Sequence, residues 1–337
     1  MAGGASVGKW FCRARLKRTA MPQTRTPDPA LIEALVAAIH RWRGAGLLTV
    51  GISGAQGSGK STLAAALAAR LAQAEIAVAT LSLDDLYLGR VARRALAAKV
   101  HPLFVTRGPP GTHDVALGLA VVDALARGEP APLPRFDKAM DAPVPPADWP
   151  TAPRHCQVLL LEGWCLGARP QSESALTAPV NALEANEDAQ THWRRHANTA
   201  LAGEYQQLWA RIDHLILLAA PGWEVVQGWR EQQEAELRAK AGADAPGVMD
   251  TGEVTRFIQH YERLTRHMLA ELPGRADVVV RLGEGREVLG VGMPFGEALE
   301  RFIVVDPAEL PERVKLRQKE GPPKRPPGAA KKVAPKP

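Results

Sequence analysis

The chain has 337 residues, 46% of them hydrophobic, with 42 Lys or Arg against 36 Asp or Glu and three cysteines. That length and apolar content suffice for a sizeable core in one elaborated domain, and no apolar run approaches the roughly 20 residues needed to cross a bilayer. Cys12, Cys156 and Cys165 are too few and too irregularly spaced for a disulfide framework or a zinc site, which fits a reducing compartment and a cytoplasmic location.

The net charge of +6 is unevenly spread. Residues 1–27 hold six Lys or Arg and no acid, and 312–337 hold nine against two, leaving 27 basic and 34 acidic side chains over 28–311. The basicity lies in the tails, so the acidic centre argues against nucleic acid as a partner. Pro322-Pro323-Lys324-Arg325-Pro326-Pro327 mixes proline with like charge and predicts a disordered tail. The first 20 residues have the composition of a targeting presequence without a secretory apolar region, and an extended start upstream of Met21 accounts for them equally. The chain thus divides into a basic, disordered extension (1–27), a globular domain (28–311) and a basic tail (312–337).

In chain order, residues 29–43 read as an amphipathic helix, with Asp28 as N-cap and Leu31, Leu35, Ala38 and Ile39 at helical spacing. Residues 47–52 are apolar and β-branched, and Gly54-Ala55-Gln56-Gly57-Ser58-Gly59-Lys60-Ser61-Thr62 follows at the spacing of a phosphate-binding P-loop. Residues 62–74, rich in Ala and Leu without Gly or Pro, continue as a helix. Glycines let successive N–H groups point into one concavity, and the positive end of the following helix adds to it. The loop therefore predicts a nucleoside triphosphate, with Lys60 reaching the β- and γ-phosphates and the Ser61 hydroxyl on Mg²⁺.

Further apolar runs at 77–83, 158–161, 215–219 and 278–282 alternate with helical stretches, which predicts an α/β fold with a parallel sheet covered on both faces. Residues 101–114 and 130–153 are rich in Pro and Gly and too long for ordinary connections, so they are expected to be functional loops or lids. Residues 254–269 carry Phe257, Ile258, Tyr261, Leu264 and Met268 at helical spacing, a pattern of core packing, with Arg263, Arg266 and His267 as weaker acceptor contacts.

Ligands of open α/β sheets bind beyond the carboxyl ends of the strands. The second run ends in Ser82-Leu83-Asp84-Asp85-Leu86-Tyr87, where a carboxylate can accept the proton of an attacking hydroxyl or help hold Mg²⁺. Asp84 is the candidate for both roles, with Asp85 second; the same acids also suit helix N-caps. The next run ends in Leu161-Glu162-Gly163-Trp164, placing Glu162 near the metal and Gly163 where the backbone approaches the ligand. Arg107, Thr112, His113 and Asp114, in a turn-rich segment, and Arg135, Asp137 and Lys138, in another, suit a small anionic acceptor because Arg forks onto a carboxylate. Arg230, opening a charged helical stretch before a Gly- and Ala-rich break at 241–247, is the candidate lid arginine, though its charge pattern equally fits a solvated helix face.

Taken together, Gly54–Thr62, Leu81–Leu88, Arg107-Gly108 with Gly111–Asp114, Leu133–Lys138 and Leu161–Trp164 make the chain, over about residues 30–285, resemble the D-glycerate 3-kinase family. That family is a branch of the phosphoribulokinase, uridine kinase and pantothenate kinase group. The resemblance implies a three-layer P-loop NTPase fold, a mostly parallel sheet with helices on both faces and a helical lid. It also implies ATP- and Mg²⁺-dependent phosphorylation of the terminal hydroxyl of glycerate, giving 3-phosphoglycerate, with Asp84 at the base position and Asp85 and Tyr87 beside the acceptor. The chain departs from plant-like members after Lys138. Those continue with a glycine-rich Gly-Asp-Arg segment, whereas Ala139-Met140-Asp141-Ala142-Pro143 follows here. Two alternatives stand beside this reading: a kinase of another small alcohol, nucleoside or pantothenate-like, and a regulatory P-loop ATPase. The second lacks support from an Asn-Lys-x-Asp or an ABC-type Ser-Gly-Gly signature, neither of which occurs.

Overall fold

The computed structural model describes residues 27–241 and 248–292. Expectations for residues 1–26, for the break at 242–247 and for the chain beyond 292, the basic tail included, lie outside the described residues.

The elements run α1 (Pro29–Trp42), β1 (Leu48–Gly54), α2 (Lys60–Gln73), β2 (Val78–Ser82), α3 (Arg90–Lys99), α4 (Val115–Ala126), β3 (Phe136–Asp137), β4 (Ala142–Pro143) and β5 (Val158–Gly163). They continue with α5 (Ala182–Glu187), α6 (His192–Ala200), α7 (Gln206–Trp209), β6 (His214–Ala219), α8 (Glu224–Ala241), α9 (Thr251–Glu271), β7 (Val278–Leu282) and β8 (Val288–Gly292). Each apolar run of the sequence is a strand of one sheet, ordered β2-β5-β1-β6-β7-β8 and parallel except for β8. β1 and β5 are buried along their whole length because helices cover both faces.

Local chemistry sets the element ends. Asp28 accepts from Ala30 N–H at 2.8 Å, and α1 then buries Leu31, Leu35, Ala38 and Ile39. α9 begins with a capping box in which Asp250 and Glu253 satisfy each other's backbone N–H groups. A satellite core of Leu103, Phe104, Leu183 and Trp193, joined by Leu96, Ala97 and Val100, carries α3 beside the main body. Among the described residues no helix is long and apolar enough to cross a membrane.

Three strands go beyond the apolar runs of the sequence. β8 closes the sheet edge as an antiparallel strand that is half-buried throughout, so it lacks the apolar run of the inner strands. Inside the long 130–153 loop, β3 and β4 form a two-residue antiparallel pair.

Register places the chemistry. Ile52 and Ser82 both stand opposite Glu162 across the β1-β5-β2 ladder, so the P-loop after β1, Asp84 after β2 and Glu162 at the end of β5 share one rim.

Candidate active site

The P-loop enters α2 with Gly57 and Gly59 in the left-handed region, at φ 71° and 93°. Gly59 is the N-cap of α2 and no side chain caps the helix, which leaves its first N–H groups directed at the loop. The Ser58 hydroxyl is buried without a partner. Lys60 is buried and donates from Nζ to the Ala55 carbonyl at 3.0 Å. Burial lowers its pKa, against the opposing charges of Glu162 and Asp84. An uncapped helix end, an orphaned hydroxyl and a buried ammonium together fit a polyphosphate.

The metal candidates meet at the same place. Ser61 donates from its hydroxyl to Glu162 Oε1 at 2.8 Å, joining the start of α2 to the end of β5. Among the described residues no three His, Cys, Asp or Glu side chains cluster as metal ligands. The hydroxyl–carboxylate pair fits Mg²⁺, which takes few protein ligands and keeps several waters. Gly163, expected to let the backbone approach a ligand, instead makes room for the protein: a Cβ there would lie 2.7 Å from Leu83 Cβ.

Asp84 sits in the 3-10 turn after β2, accepting from the Tyr87 hydroxyl at 2.6 Å and from Lys138 Nζ at 2.5 Å. Burial opposes its ionisation, but the Lys138 charge, hydrogen bonds from Lys138 and Tyr87, and Lys60 outweigh it and hold the carboxyl well below the usual range. Tyr87 stays protonated and donating, because burial and the Asp84 charge push its pKa well above 10.

Asp84 faces a cavity of about 230 Å³ lined by Gln56, Tyr87, Arg107, Lys138, Arg230, Gln233, Glu236, Leu237, Phe257 and Tyr261. Arg107 and Arg230 both lie over the Phe257 ring, at 5.9 and 5.2 Å from its centroid. Arg230 is buried and paired with Glu234 at 2.5 Å, so the solvated-face reading of this helix does not hold at that position. Arg107 reaches Asp141 at 2.7 Å, and Arg93 and Arg90 meet the same carboxylate at 2.5 and 3.0 Å. Burial disfavours charge on Asp141, but Arg107 and Arg93 outweigh it and lower its pKa. In this chain the segment after Lys138 thus supplies a carboxylate to Arg107.

Other expected acceptor residues are not brought to the cavity. Thr112 is buried within its own loop, accepting from Gly108 N–H at 2.9 Å and donating to the Pro109 carbonyl at 2.7 Å. Asp114 caps α4 through Leu117 N–H, and Asp137 accepts from Ala139 and Met140 N–H in the tip of the β3–β4 hairpin. His113 lies behind Tyr87, with Nδ1 2.6 Å from the Tyr205 hydroxyl. Burial lowers its pKa to about 4, so it is neutral and offers an anion no charge. Arg263 is bound to Glu184 and to the Ala175 and Ala178 carbonyls, and Arg266 pairs with Glu262 and Glu224.

Asp85 and Arg135 hold the hairpin to the 3-10 turn, Asp85 accepting from Phe136 N–H at 3.1 Å with Arg135 3.5 Å away. Burial, only partly opposed by that N–H and by Arg135, raises the Asp85 pKa from 3.8 to about 6. The native state therefore binds this proton more tightly than the unfolded chain. The stabilisation is complete below about pH 4 and is lost as pH rises through 6. Relative to the parent, Asp85→Asn should gain about 2–3 kcal/mol between pH 4 and 7, read from urea midpoints; a difference constant across that range would contradict the shift.

Tyr261 and Phe257, read from sequence as core, are buried or partly buried as expected but also rim the cavity, and Tyr261 donates to the Arg107 carbonyl at 2.9 Å. Gln233 and Glu236, which the sequence reading does not single out, also line this cavity; Gln233 stands at i+3 from Arg230 on α8 and Glu236 at i+3 from Gln233.

A second, larger pocket of about 780 Å³ begins at Gly57–Gly59, Thr62 and Leu63 and runs between the start of α1, at Pro27, Asp28 and Leu31, and the β7–β8 turn, at Leu282, Arg286, Glu287 and Val288. Glu236 borders both spaces, and adjacent P-loop residues face them, Gln56 on the Asp84 side and Gly57 on the other.

No protein-family model matches the chain. An uncharacterised kinase of Schizosaccharomyces pombe is 35% identical over 222 residues, covering 63% of this chain and 77% of that protein. A chloroplastic D-glycerate 3-kinase of Arabidopsis thaliana is 29% identical over 242 residues, covering 68% of this chain and 50% of that relative, so only half its length is spanned. A D-glycerate 3-kinase structure from Cryptococcus neoformans shares the fold with a TM-score of 0.64 at 23% identity, over 79% of this chain and 100% of that one.

Proposed function

We propose that the chain, a kinase by its relatives and similar to D-glycerate 3-kinases, transfers the γ-phosphate of ATP to the terminal hydroxyl of D-glycerate, giving 3-phosphoglycerate. The observation that carries this reading is the meeting of two spaces at the P-loop. One is large enough for a nucleotide; the other is small, faced by Asp84 and rich in Arg107, Lys138 and Arg230. The acting unit is taken as residues 28–311.

In this reading the backbone of Gly54–Gly59, with Lys60, Ser61 and Thr62, holds the triphosphate. Ser61, with Glu162 and Asp84 through water, would hold Mg²⁺, which supplies charge neutralisation at the phosphate oxygens. Arg107, Lys138 and Tyr87 orient the acceptor, with its carboxylate toward the cations. Asp84 accepts the hydroxyl proton, and Lys60 and Arg230 stabilise the charge of the loose transition state. The Lys138–Asp84 pair gives the acceptor carboxylate a further effect. Drawing Lys138 toward itself, it removes the cation that depresses the Asp84 pKa and makes Asp84 a stronger base where the hydroxyl arrives.

The test is ADP release with D-glycerate, L-glycerate, uridine and pantothenate, with product mass and phosphorus NMR locating the phosphate. D-glycerate should give the highest kcat/KM and 3-phosphoglycerate the only product. Faster turnover of uridine or pantothenate would replace the acceptor, and ATP loss without a phosphorylated small molecule would replace the kinase reading with a regulatory ATPase.

A further inference from the structure

The β7–β8 turn is closed by hydrogen bonds from Gly283 N–H to the Glu287 carbonyl and from Arg286 N–H to the Gly283 carbonyl, at 2.8 and 2.9 Å. Arg286 holds a left-handed conformation at φ 65°, a region that favours glycine. A long side chain kept at that backbone cost needs a use, and its contacts supply one.

The Arg286 guanidinium lies over the Trp229 ring, 5.2 Å from the centroid. It donates from Nε to the Gly57 carbonyl at 2.6 Å, from Nη1 to Gln232 Oε1 at 2.7 Å and from Nη2 to the Trp229 carbonyl at 3.3 Å. The Trp229 indole N–H returns a hydrogen bond to the Glu284 carbonyl at 2.7 Å. One planar cation thus joins the P-loop, α8 and the β7–β8 turn. The two backbones are already in contact there, since a Cβ on Gly57 would lie 2.7 Å from Trp229 Cβ. Trp229 immediately precedes Arg230, and Gly57 immediately follows Gln56, so the clamp sits one residue from each side of the Asp84 cavity. Arg286 itself lines the other pocket.

We propose that Arg286 is a positioning residue that fixes Arg230 relative to the P-loop. The proposal rests on the reading above, in which Arg230 acts on the transferred phosphoryl group. A residue that only bound nucleotide would set KM for ATP. One that acts through Arg230 sets kcat, and its effect vanishes when Arg230 is gone.

The experiment uses the full chain with ATP, Mg²⁺ and D-glycerate, comparing the parent, Arg286→Gln, Arg286→Lys, Arg230→Ala and the Arg286→Gln/Arg230→Ala double variant. Arg286→Gln should lower kcat about 10–100-fold, the scale of a misplaced transition-state group, with KM for ATP within about 3-fold of the parent. Arg286→Lys should recover little, because an ammonium cannot serve three acceptors in the plane of a fork. In the Arg230→Ala background the same change should alter kcat less than about 2-fold. Hydrogen exchange supplies a readout independent of turnover: amides of α8 and the P-loop should exchange faster in Arg286→Gln, with the rest of the sheet unchanged. Additive losses in the double variant, an effect confined to KM for ATP, or unchanged α8 exchange would each overturn the proposal. A parent that phosphorylates no acceptor would sink the glycerate reading, and the exchange comparison would still decide the clamp. If Arg286→Gln does not fold, Gln232→Ala removes one acceptor and should show the same pattern at smaller size.

Discussion

Asp84→Asn is expected to lower kcat for phosphate transfer by about 10²–10⁴ while nucleotide affinity stays within a few-fold, because the change removes a proton acceptor without removing volume. The amide oxygen still accepts from Tyr87 or Lys138, which hold Asp84 at 2.6 and 2.5 Å, so the 3-10 turn keeps its shape. Lys60 and the uncapped start of α2, which would meet the phosphates in this reading, are untouched. With Lys138 and Tyr87 outweighing burial, Asp84 is ionised in the substrate-free protein, so a fall in the parent's kcat/KM between pH 7 and 5 would have to come from another group. Coupled ADP release measures kcat, and titration with a fluorescent ATP analogue measures binding. A purified variant with the parental rate would remove Asp84 as the base; loss of binding together with rate would make it a metal or phosphate ligand instead.

The sheet and one side of the site were legible in the sequence because their signals are local. Each inner strand is an uninterrupted apolar run, and the P-loop, Asp84 and Glu162 follow their strands within a few residues, where a parallel sheet must present them. What the sequence hid was how polar side chains are shared between structure and chemistry. Asp114 and Asp137 have the residue type of acceptor ligands, yet each satisfies nearby backbone N–H groups, a use that competes at every turn and helix start. Thr112 likewise folds back on its own loop. Arg107 reaches the cavity, but its partner Asp141 lies 34 residues on, in a left-handed turn that no short pattern announces. The helical spacing of Tyr261 marks it as core, and it is buried there, yet it also lines the cavity. Arg286 was missed for the same reason as Asp141. Its acceptors come from a P-loop 229 residues away and a helix more than 50 residues away, joined only when the sheet assembles.

Lys60→Met is expected to abolish protection by ATP·Mg²⁺ and to cut phosphate transfer by about 10²–10³, with little loss of intrinsic stability. The ammonium is buried, and its hydrogen bond goes to the Ala55 carbonyl rather than to a carboxylate. Burial depresses its pKa despite Glu162 and Asp84 nearby, which means that part of the cost of a desolvated charge remains on Lys60 unless an anion joins it. Methionine keeps most of the volume and removes that cost, so the nucleotide-free melting temperature should stay the same or rise. The parent behaves oppositely once ligand is added. At a nucleotide concentration near 100 times Kd, mass action contributes about 2.7 kcal/mol, several degrees of melting temperature for a chain of this size. In the variant the shift should fall below about 1 °C. A parental thermal shift would show that the uncapped start of α2 holds the phosphates alone and that Lys60 acts only on the transition state. A nucleotide-free protein that melts far below the parent would instead make the ammonium a structural bond to Ala55. The expected combination, a stable apoprotein that no longer responds to ATP, follows from a side chain whose charge is unfavourable until the phosphates arrive.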